Sequence, residues 1–258
     1  LVHPNSHNFR DFVIKLPGDS GEAVAFMDSK GVMAGLPLGQ WWSEMSSCLL
    51  IGCDERTSEA VFNHISHQYG KLDILINNAS AINLTPTEKT PAKRFDLMFD
   101  VNVRGTFLTS QAAIPFLRES AKADRNPHIL TLSPPLSMSP KWFKNHVAYT
   151  MSKYGMSMCV LGMAEEFKRD GIAVNALWPR TAIDTAALQM IPGVDTDFCR
   201  KPEILADTAY IILNRDSKKT TGNFFVDDEV LASEGITDLE KYSVKPGTTD
   251  FLLDFFLD

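Results

Sequence analysis

At 258 residues, with 44% hydrophobic and 22% charged side chains, the chain has the ordinary balance of a globular α/β domain, or of two small ones. Its formal net charge of −7 argues against a nucleic-acid surface, which needs a basic stripe, and no apolar run approaches the ~20 residues of a membrane-spanning helix. Cys48, Cys53, Cys159 and Cys199 lack framework or metal spacing, so free thiols in a reducing compartment are expected, and no metal site.

Residues 1–46 form an atypical N-terminal segment. The start "LVHPNSHNFRDF" lacks the charged and then apolar regions of a signal peptide. "FVIKL" (12–16) and "AVAFM" (23–27) each have the composition of a short strand, and "KGVMAGLPLGQWWSEMSS" reads as loop with exposed aromatics.

From residue 47 to the end the pattern changes to one domain in which apolar runs alternate with helical periodicity, the signature of βαβ units. "CLLIGC" (48–53) is a buried-strand candidate that ends at Asp54. Residues 55–70 repeat apolar positions at helical spacing and stop at Gly70. His64 and His67 share one face of that helix, and with no third ligand a solvated face is expected. "LDILI" (72–76) is the next strand, followed by "NNAS", a polar loop and a long helical pattern over about 91–118.

"HILTLS" (128–133) is another strand, and a helix then runs to about Arg169 and ends at Gly171. "IAVNAL" (172–177) is a strand capped by Pro179; "PEILADTAYIIL" (202–213) is a helix, and "NFFVD" (223–227) a last strand. These strands are apolar on both faces, so helices should cover the sheet on both sides. The C-terminal "FLLDFFLD" is interrupted by two aspartates and is expected to be a docked tail or a subunit contact rather than a membrane element.

The helix before Gly171 carries Tyr149 and Lys153 at i, i+4, on one face. A phenol ionises near pH ~10, so a tyrosine working as acid–base catalyst at neutral pH needs help. A neighbouring ammonium supplies it by favouring the phenolate. The same spacing also occurs by chance on ordinary helices.

Tyr149 and Lys153 have ordered company: "LDILINNAS" (72–80), "DVNVRGTF" (100–107) and "HILTLS" before them, and "IAVNALWPRTAIDT" (172–185) after them. With these motifs in this order, the chain resembles the short-chain dehydrogenase/reductase family over about residues 47–230. The resemblance implies a Rossmann-like, doubly wound parallel sheet and an NAD(P)-dependent oxidoreductase that interconverts an alcohol and a carbonyl. By that likeness Tyr149 is the general acid in reduction and the base in oxidation. Lys153 lowers its pKa and holds the nicotinamide ribose, and Asn102 anchors a water beside the lysine. Asp54 meets the adenine ring, Asn78 and Ala79 line the adenosine ribose, and Ile183 with Thr185 meets the nicotinamide amide. The residues alone also allow plainer roles: Asn77 and Asn78 satisfying backbone groups at a strand end, and Asp54 and Thr185 capping helices.

Two departures stand out. Where the family has a serine pair, Ser133 is followed by Pro134 and Pro135. The role of polarising the substrate carbonyl then falls to Ser133, with Ser137 and Ser139 as alternatives, or goes unfilled. The glycine-rich turn that lets backbone N–H groups approach a pyrophosphate is also missing from residues 1–46, although glycines stand at 18, 21, 31, 35 and 39. The simplest account is a chain that begins after that turn and lacks the usual first strand. This would leave a gap in the middle of the sheet.

The expected partners are NADP or NAD and a small-molecule carbonyl or alcohol, with no nucleic acid and no membrane span; a homo-oligomer is compatible with the pattern. Leu188, Met190 and Ile191, after Pro179, suggest a pocket lid and a lipid-like substrate. The competing reading is a non-catalytic Rossmann-like module, or an inactive fragment of such an enzyme. Segments such as "LSPPL", "LGMAEEF", "TGNF" and "VKPG" resemble a family member associated with peroxisomes and mitochondria, while the final "FLD" is no peroxisomal tripeptide.

Overall fold

The computed structural model describes residues 70–189 and 193–257, the single helical residues Phe62 and His67, and the backbone of three short strands. Those strands are β1 (Asp11–Lys15), β2 (Leu36–Pro37) and β3 (Cys48–Gly52). With β4 (Ile74–Asn77), β5 (His128–Leu132), β6 (Ala173–Trp178) and β7 (Phe224–Val226) they form one sheet. Its order is β2-β3-β1-β4-β5-β6-β7.

Strands β4 to β7 are parallel neighbours, with Leu75 opposite Ile129, Ile129 opposite Val174, and Leu177 opposite Phe225. The connections between them are helices, because parallel neighbours need a crossover back to the same edge. They are α1 (Ala92–Met98), a π-helical stretch (Phe99–Gly105) and α2 (Thr106–Lys122) before β5, and then α3 (Val147–Phe167) before β6. Beyond β6 come the short α4 (Ala186–Gln189), α5 (Glu203–Asn214) and, directly after β7, α6 (Asp227–Ser233).

Side chains that alternate along the strands feed two separate cores. Leu75, Ile129, Val174 and Ala176 pack with Ala113, Ile114 and Leu117 of α2 and Val160, Met163 and Ala164 of α3. Leu130 and Leu177 point the other way and pack with Ile212 of α5 and Val230 of α6. Helices therefore cover both faces, as the doubly apolar strands require. Helix α3 gives way to a short 3₁₀ turn, Lys168–Asp170. The chain then reverses through Gly171 at φ 72°, a left-handed position that glycine adopts without a Cβ clash.

Two expectations need correction. The long helical pattern over about 91–118 is not one helix; it is interrupted by the π-helical stretch and continues to Lys122. The N-terminal half of the sheet is also not parallel. β1 lies between β3 and β4 and runs antiparallel to both, with Phe12 opposite Asn77 and Lys15 opposite Ile74. The gap anticipated beside β4 is thus filled by a strand of reversed direction, which still pairs the backbone groups that an open edge would leave bare. The expected strand over 23–27 and most of the expected helix over 55–70 lie outside the described residues.

Candidate active site

The parallel strands set the stage. Asn77, Leu132 and Trp178 end β4, β5 and β6 on the same edge of the sheet. In an open α/β sheet, the crevice beyond the carboxyl ends of the strands is where ligands bind.

Helix α3 enters this edge from a turn locked around its first residues. Thr150 donates its hydroxyl to the Trp142 carbonyl, and His146 Nδ1 lies 3.0 Å from the same hydroxyl. Tyr149 and Lys153 follow on the inward face, with relative exposures of only 6% and 2%. Lys153 Nζ donates to the Leu132 carbonyl at 2.7 Å and lies 4.8 Å from the centre of the Trp178 ring.

Burial has opposite effects on these two groups. It lowers the pKa of the lysine to about 7, against the smaller opposing pull of the Asp254 carboxylate. It raises the pKa of the phenol above its ordinary value, and Asp254 raises it further. The phenol in this arrangement thus stands above its ordinary range, through burial first and the Asp254 charge second. Both groups are dry, and the lysine sits near the boundary of losing its charge.

Asn102 occupies the π-helical stretch and is fully buried. Its amide donates to the Ala81 carbonyl at 3.0 Å and to Ser152 Oγ at 2.9 Å, while its oxygen accepts the Ala81 N–H at 2.7 Å. Ser152 in turn donates to the Tyr149 carbonyl at 2.8 Å. One side chain thus ties the loop after β4 to the helix of Tyr149. π-turns are frequent at functional sites because they re-aim a side chain that a regular helix would direct elsewhere. The two helices can approach because position 155 is glycine: a Cβ there would lie 2.6 Å from Val103 Cγ2.

Ser133, just beyond β5, is fully buried, and its hydroxyl has no hydrogen-bond partner. Buried hydroxyls are nearly always paired, so this one is available to a ligand. Ser137 instead takes the N–H of Ser139 at 3.3 Å, a local turn. Asn77 is buried and donates to Ser110 Oγ at 3.0 Å, the plain structural role. Asn78 is exposed and Ala79 half-buried, both at the open edge. Ile183 is buried in a small core with Ile204, Leu231 and Tyr242. Thr185 is exposed, and its hydroxyl accepts the Leu188 N–H at 3.3 Å, so it caps α4. Asp54, Met190 and Ile191 lie outside the described residues.

The C-terminal segment is the part of the site that the motifs did not mark. Leu252 and Leu253 are laid along the chain after β6: the Ala182 N–H donates to the Leu252 carbonyl at 2.8 Å, and the Asp254 N–H to the Arg180 carbonyl at 3.1 Å. The Phe255 carbonyl accepts the Trp178 indole N–H at 2.8 Å. The Phe255 and Phe256 rings stand 6.5 and 6.2 Å from the Tyr149 ring, and Phe256 is buried against Trp142, Tyr154 and Trp178. This strap is the docked tail expected from "FLLDFFLD". Between it and Lys141–Trp142 opens a cleft of about 420 Å³, also lined by Leu253, Asp254, Phe255 and Leu257.

The residues present fit the nicotinamide end of a dinucleotide: an unpartnered buried hydroxyl at Ser133, with a phenol and an amine side by side on α3. Lys153 and Tyr149 would hold that end, whereas Ile183 is taken up by its core and the Thr185 hydroxyl by the α4 cap. At the other end, Lys15 closes β1 at the edge away from Asn77, so the carboxyl end of β1 does not face this crevice. Among the described residues, no group of three or more His, Cys, Asp or Glu side chains is placed to hold a metal, and no helix is long and apolar enough to cross a membrane.

Comparison with known proteins agrees with this geometry. A family model described as Enoyl-(Acyl carrier protein) reductase matches residues 52–228. Hydroxysteroid dehydrogenase-like protein 2 of Danio rerio is 51% identical over 245 residues, which are 95% of this chain and 55% of that protein. The chain therefore spans about half the length of the curated relatives it matches. A solved short chain dehydrogenase from Mycobacterium thermoresistibile is 46% identical, with a TM-score of 0.72, over 80% of this chain and 71% of its own. A 3-ketoacyl-(acyl-carrier-protein) reductase from Brucella melitensis, complexed with NADH, is 25% identical with a TM-score of 0.58, over 67% and 72% of the two chains.

Proposed function

Because the chain belongs to the short-chain dehydrogenase/reductase family, we propose that it is an NAD(P)-dependent oxidoreductase interconverting an alcohol and a carbonyl. The observation that carries this reading is the buried pair on α3, Tyr149 and Lys153, whose ammonium binds the carbonyl of Leu132, the residue before the unpartnered Ser133. The nicotinamide supplies hydride transfer when bound. The Brucella melitensis relative in complex with NADH supports a cofactor of this class.

The chain's own residues handle the proton. In reduction, Tyr149 Oη gives its proton to the developing alkoxide; in oxidation it takes the proton of the alcohol. Lys153, charged at the moment of transfer, stabilises the phenolate that Tyr149 becomes. The Ser133 hydroxyl is free to donate to the carbonyl oxygen, where negative charge grows. Asn102 holds the helix and the β4 loop in fixed register so that these groups meet one substrate. The strap rings keep water from the phenol. The substrate is lipid-like: the cleft beside the strap presents Trp142, Leu253, Phe255 and Leu257.

Titration with NADH and NADPH, read by nicotinamide fluorescence, tests the assignment. Saturable binding that is lost in Lys153→Ala is expected, followed by turnover of long-chain carbonyls in preference to small polar ones. The reversed direction of β1 favours a second reading, a Rossmann-like module that binds no dinucleotide. The absence of any saturation up to millimolar cofactor would select it.

A further inference from the structure

The rings that keep water from the Tyr149 phenol also keep a substrate from it. Tyr149 is only 6% exposed, and Phe255 and Phe256 stand at 6.5 and 6.2 Å from its ring. An alcohol or carbonyl must lie against more of the phenol than that, so part of the strap has to yield. Phe256 is the part that fills space. Its ring is buried and surrounded by Tyr154 at 5.3 Å, Trp142 and Trp178 at 5.9 Å each, and Tyr149. These separations are those of paired aromatic rings.

We propose that this box of four aromatic residues is the seat for an apolar ring of the substrate, which Phe256 fills in the free chain and leaves when the substrate enters. This rests on Tyr149 acting as the proton donor, and it narrows the lipid-like substrate to one with a flat ring system beside its carbonyl or alcohol.

Three features set Phe256 apart from an ordinary core residue. Its φ is 76°, a left-handed backbone that a bulky side chain adopts only where its surroundings hold it. Leaving the box releases that strain. The strap is otherwise lightly seated: of residues 251–257 only Phe256 is buried, and Leu252 and Leu253 stand exposed. Its backbone bonds at Leu252 and Asp254, and the indole bond to the Phe255 carbonyl, all precede Phe256, which places the pivot at Phe256 itself. Trp142, finally, is a wall both of the box and of the cleft of about 420 Å³, so a ligand in the cleft meets the Phe256 ring next.

The walls also select the ring. Trp142 Nε1–H is buried without a hydrogen-bond partner, so a ring carrying an oxygen gains a bond there that a phenyl ring cannot make. A differential interaction of this kind lets a ligand displace the chain's own side chain. Four aromatic rings can also cage a cation, but Lys153 Nζ lies 4.8 Å from the centre of the Trp178 ring and repels one.

The test is ¹⁹F NMR of the chain carrying Phe256→4-fluorophenylalanine, titrated with 2-acetyl-6-methoxynaphthalene, a flat ketone with an oxygen on its ring. The resonance should pass from a buried to a solvent-exposed shift as the ketone saturates. Phe256→Ala should bind the ketone about 10-fold tighter, the factor set by a displaced state populated at ~10% in the parent. Where Phe256→Ala does not fold by circular dichroism, Phe256→Leu should show the same direction of change. A truncated ring leaves a hole that also takes up apolar molecules, so the resonance decides. A buried resonance unchanged at saturation, or no binding even to the smaller side chain, overturns the proposal. Displacement of the ring without turnover by NADH or NADPH would retain the site and remove the catalytic reading. Turnover with the ring unmoved would retain that reading and remove the site.

Discussion

Asn102 and Ser152 share a hydrogen bond of 2.9 Å between residues 50 apart in sequence, and through it the loop after β4 is fastened one residue before Lys153. Replacing Asn102 by Ala strands the Ala81 N–H and carbonyl together and leaves the Ser152 hydroxyl only its bond to the Tyr149 carbonyl. Each buried orphan costs on the order of 1–3 kcal/mol. We expect Asn102→Ala to lose about 2 kcal/mol in urea unfolding and to weaken cofactor binding as well. Loss of stability with unchanged cofactor affinity would reduce Asn102 to a scaffold residue.

Ser133 should behave differently, because its hydroxyl has no partner to lose. Ser133→Ala is expected to leave stability within about 0.5 kcal/mol, or to raise it, since an unsatisfied buried hydroxyl is itself a cost. If Ser133 polarises the carbonyl, kcat should fall on the order of 100-fold. Unaltered kcat would leave the Pro134 substitution without a compensating hydroxyl at this position.

The closeness of α3 to the π-turn predicts a steric effect. In Gly155→Ala the new methyl meets Val103 Cγ2 at 2.6 Å, and a β-branched side chain has little room to turn away. The gain of about 1 kcal/mol in helix propensity should be outweighed by overpacking of roughly 1–3 kcal/mol. Thermal unfolding of Gly155→Ala with and without Val103→Ala measures the coupling; the double variant should recover most of the loss.

His128 gives a pH prediction. It is buried at 1% exposure, its Nε2 faces the Arg215 carbonyl at 3.0 Å, and burial lowers its pKa to about 4. Between the ordinary value of 6.5 and about 4, the unfolded chain takes up a proton that the folded chain refuses. Stability from this group is therefore complete above about pH 6.5 and is lost as pH falls towards 4, by roughly 3 kcal/mol. Asp227, whose pKa is raised to about 6, acts with the opposite sign over part of that range, so the comparison must be between parent and His128→Gln. The variant should show a flatter urea midpoint from pH 7 to pH 4; parallel curves would sink the assignment.

The periodic parts of the fold were legible because their signal is local. The strand around "ILIN", the strand "HILTL", the helix that ends before Gly171 and the strand "AVNALW" lie within a residue or two of where apolar spacing placed them. The π-turn was not legible. Its pattern is that of an ordinary helix, and the bonds its Asn102 makes are to Ala81, a residue far upstream. The direction of β1 was hidden for a similar reason: a run such as "DFVIK" pairs equally well either way, and only its neighbours decide.

At the site, the sequence by itself determined which groups could do chemistry, because Tyr149 and Lys153 are one helical turn apart and any helix puts them on one face. Only the tertiary structure decided their protonation, because that depends on burial and on Asp254, about a hundred residues downstream in the chain. It also decided that Ser133 is unpartnered while Asn77 and Thr185 are already engaged. Spacing along a helix is a property of the backbone; charge state and free hydrogen-bonding capacity belong to whatever the rest of the chain packs against it.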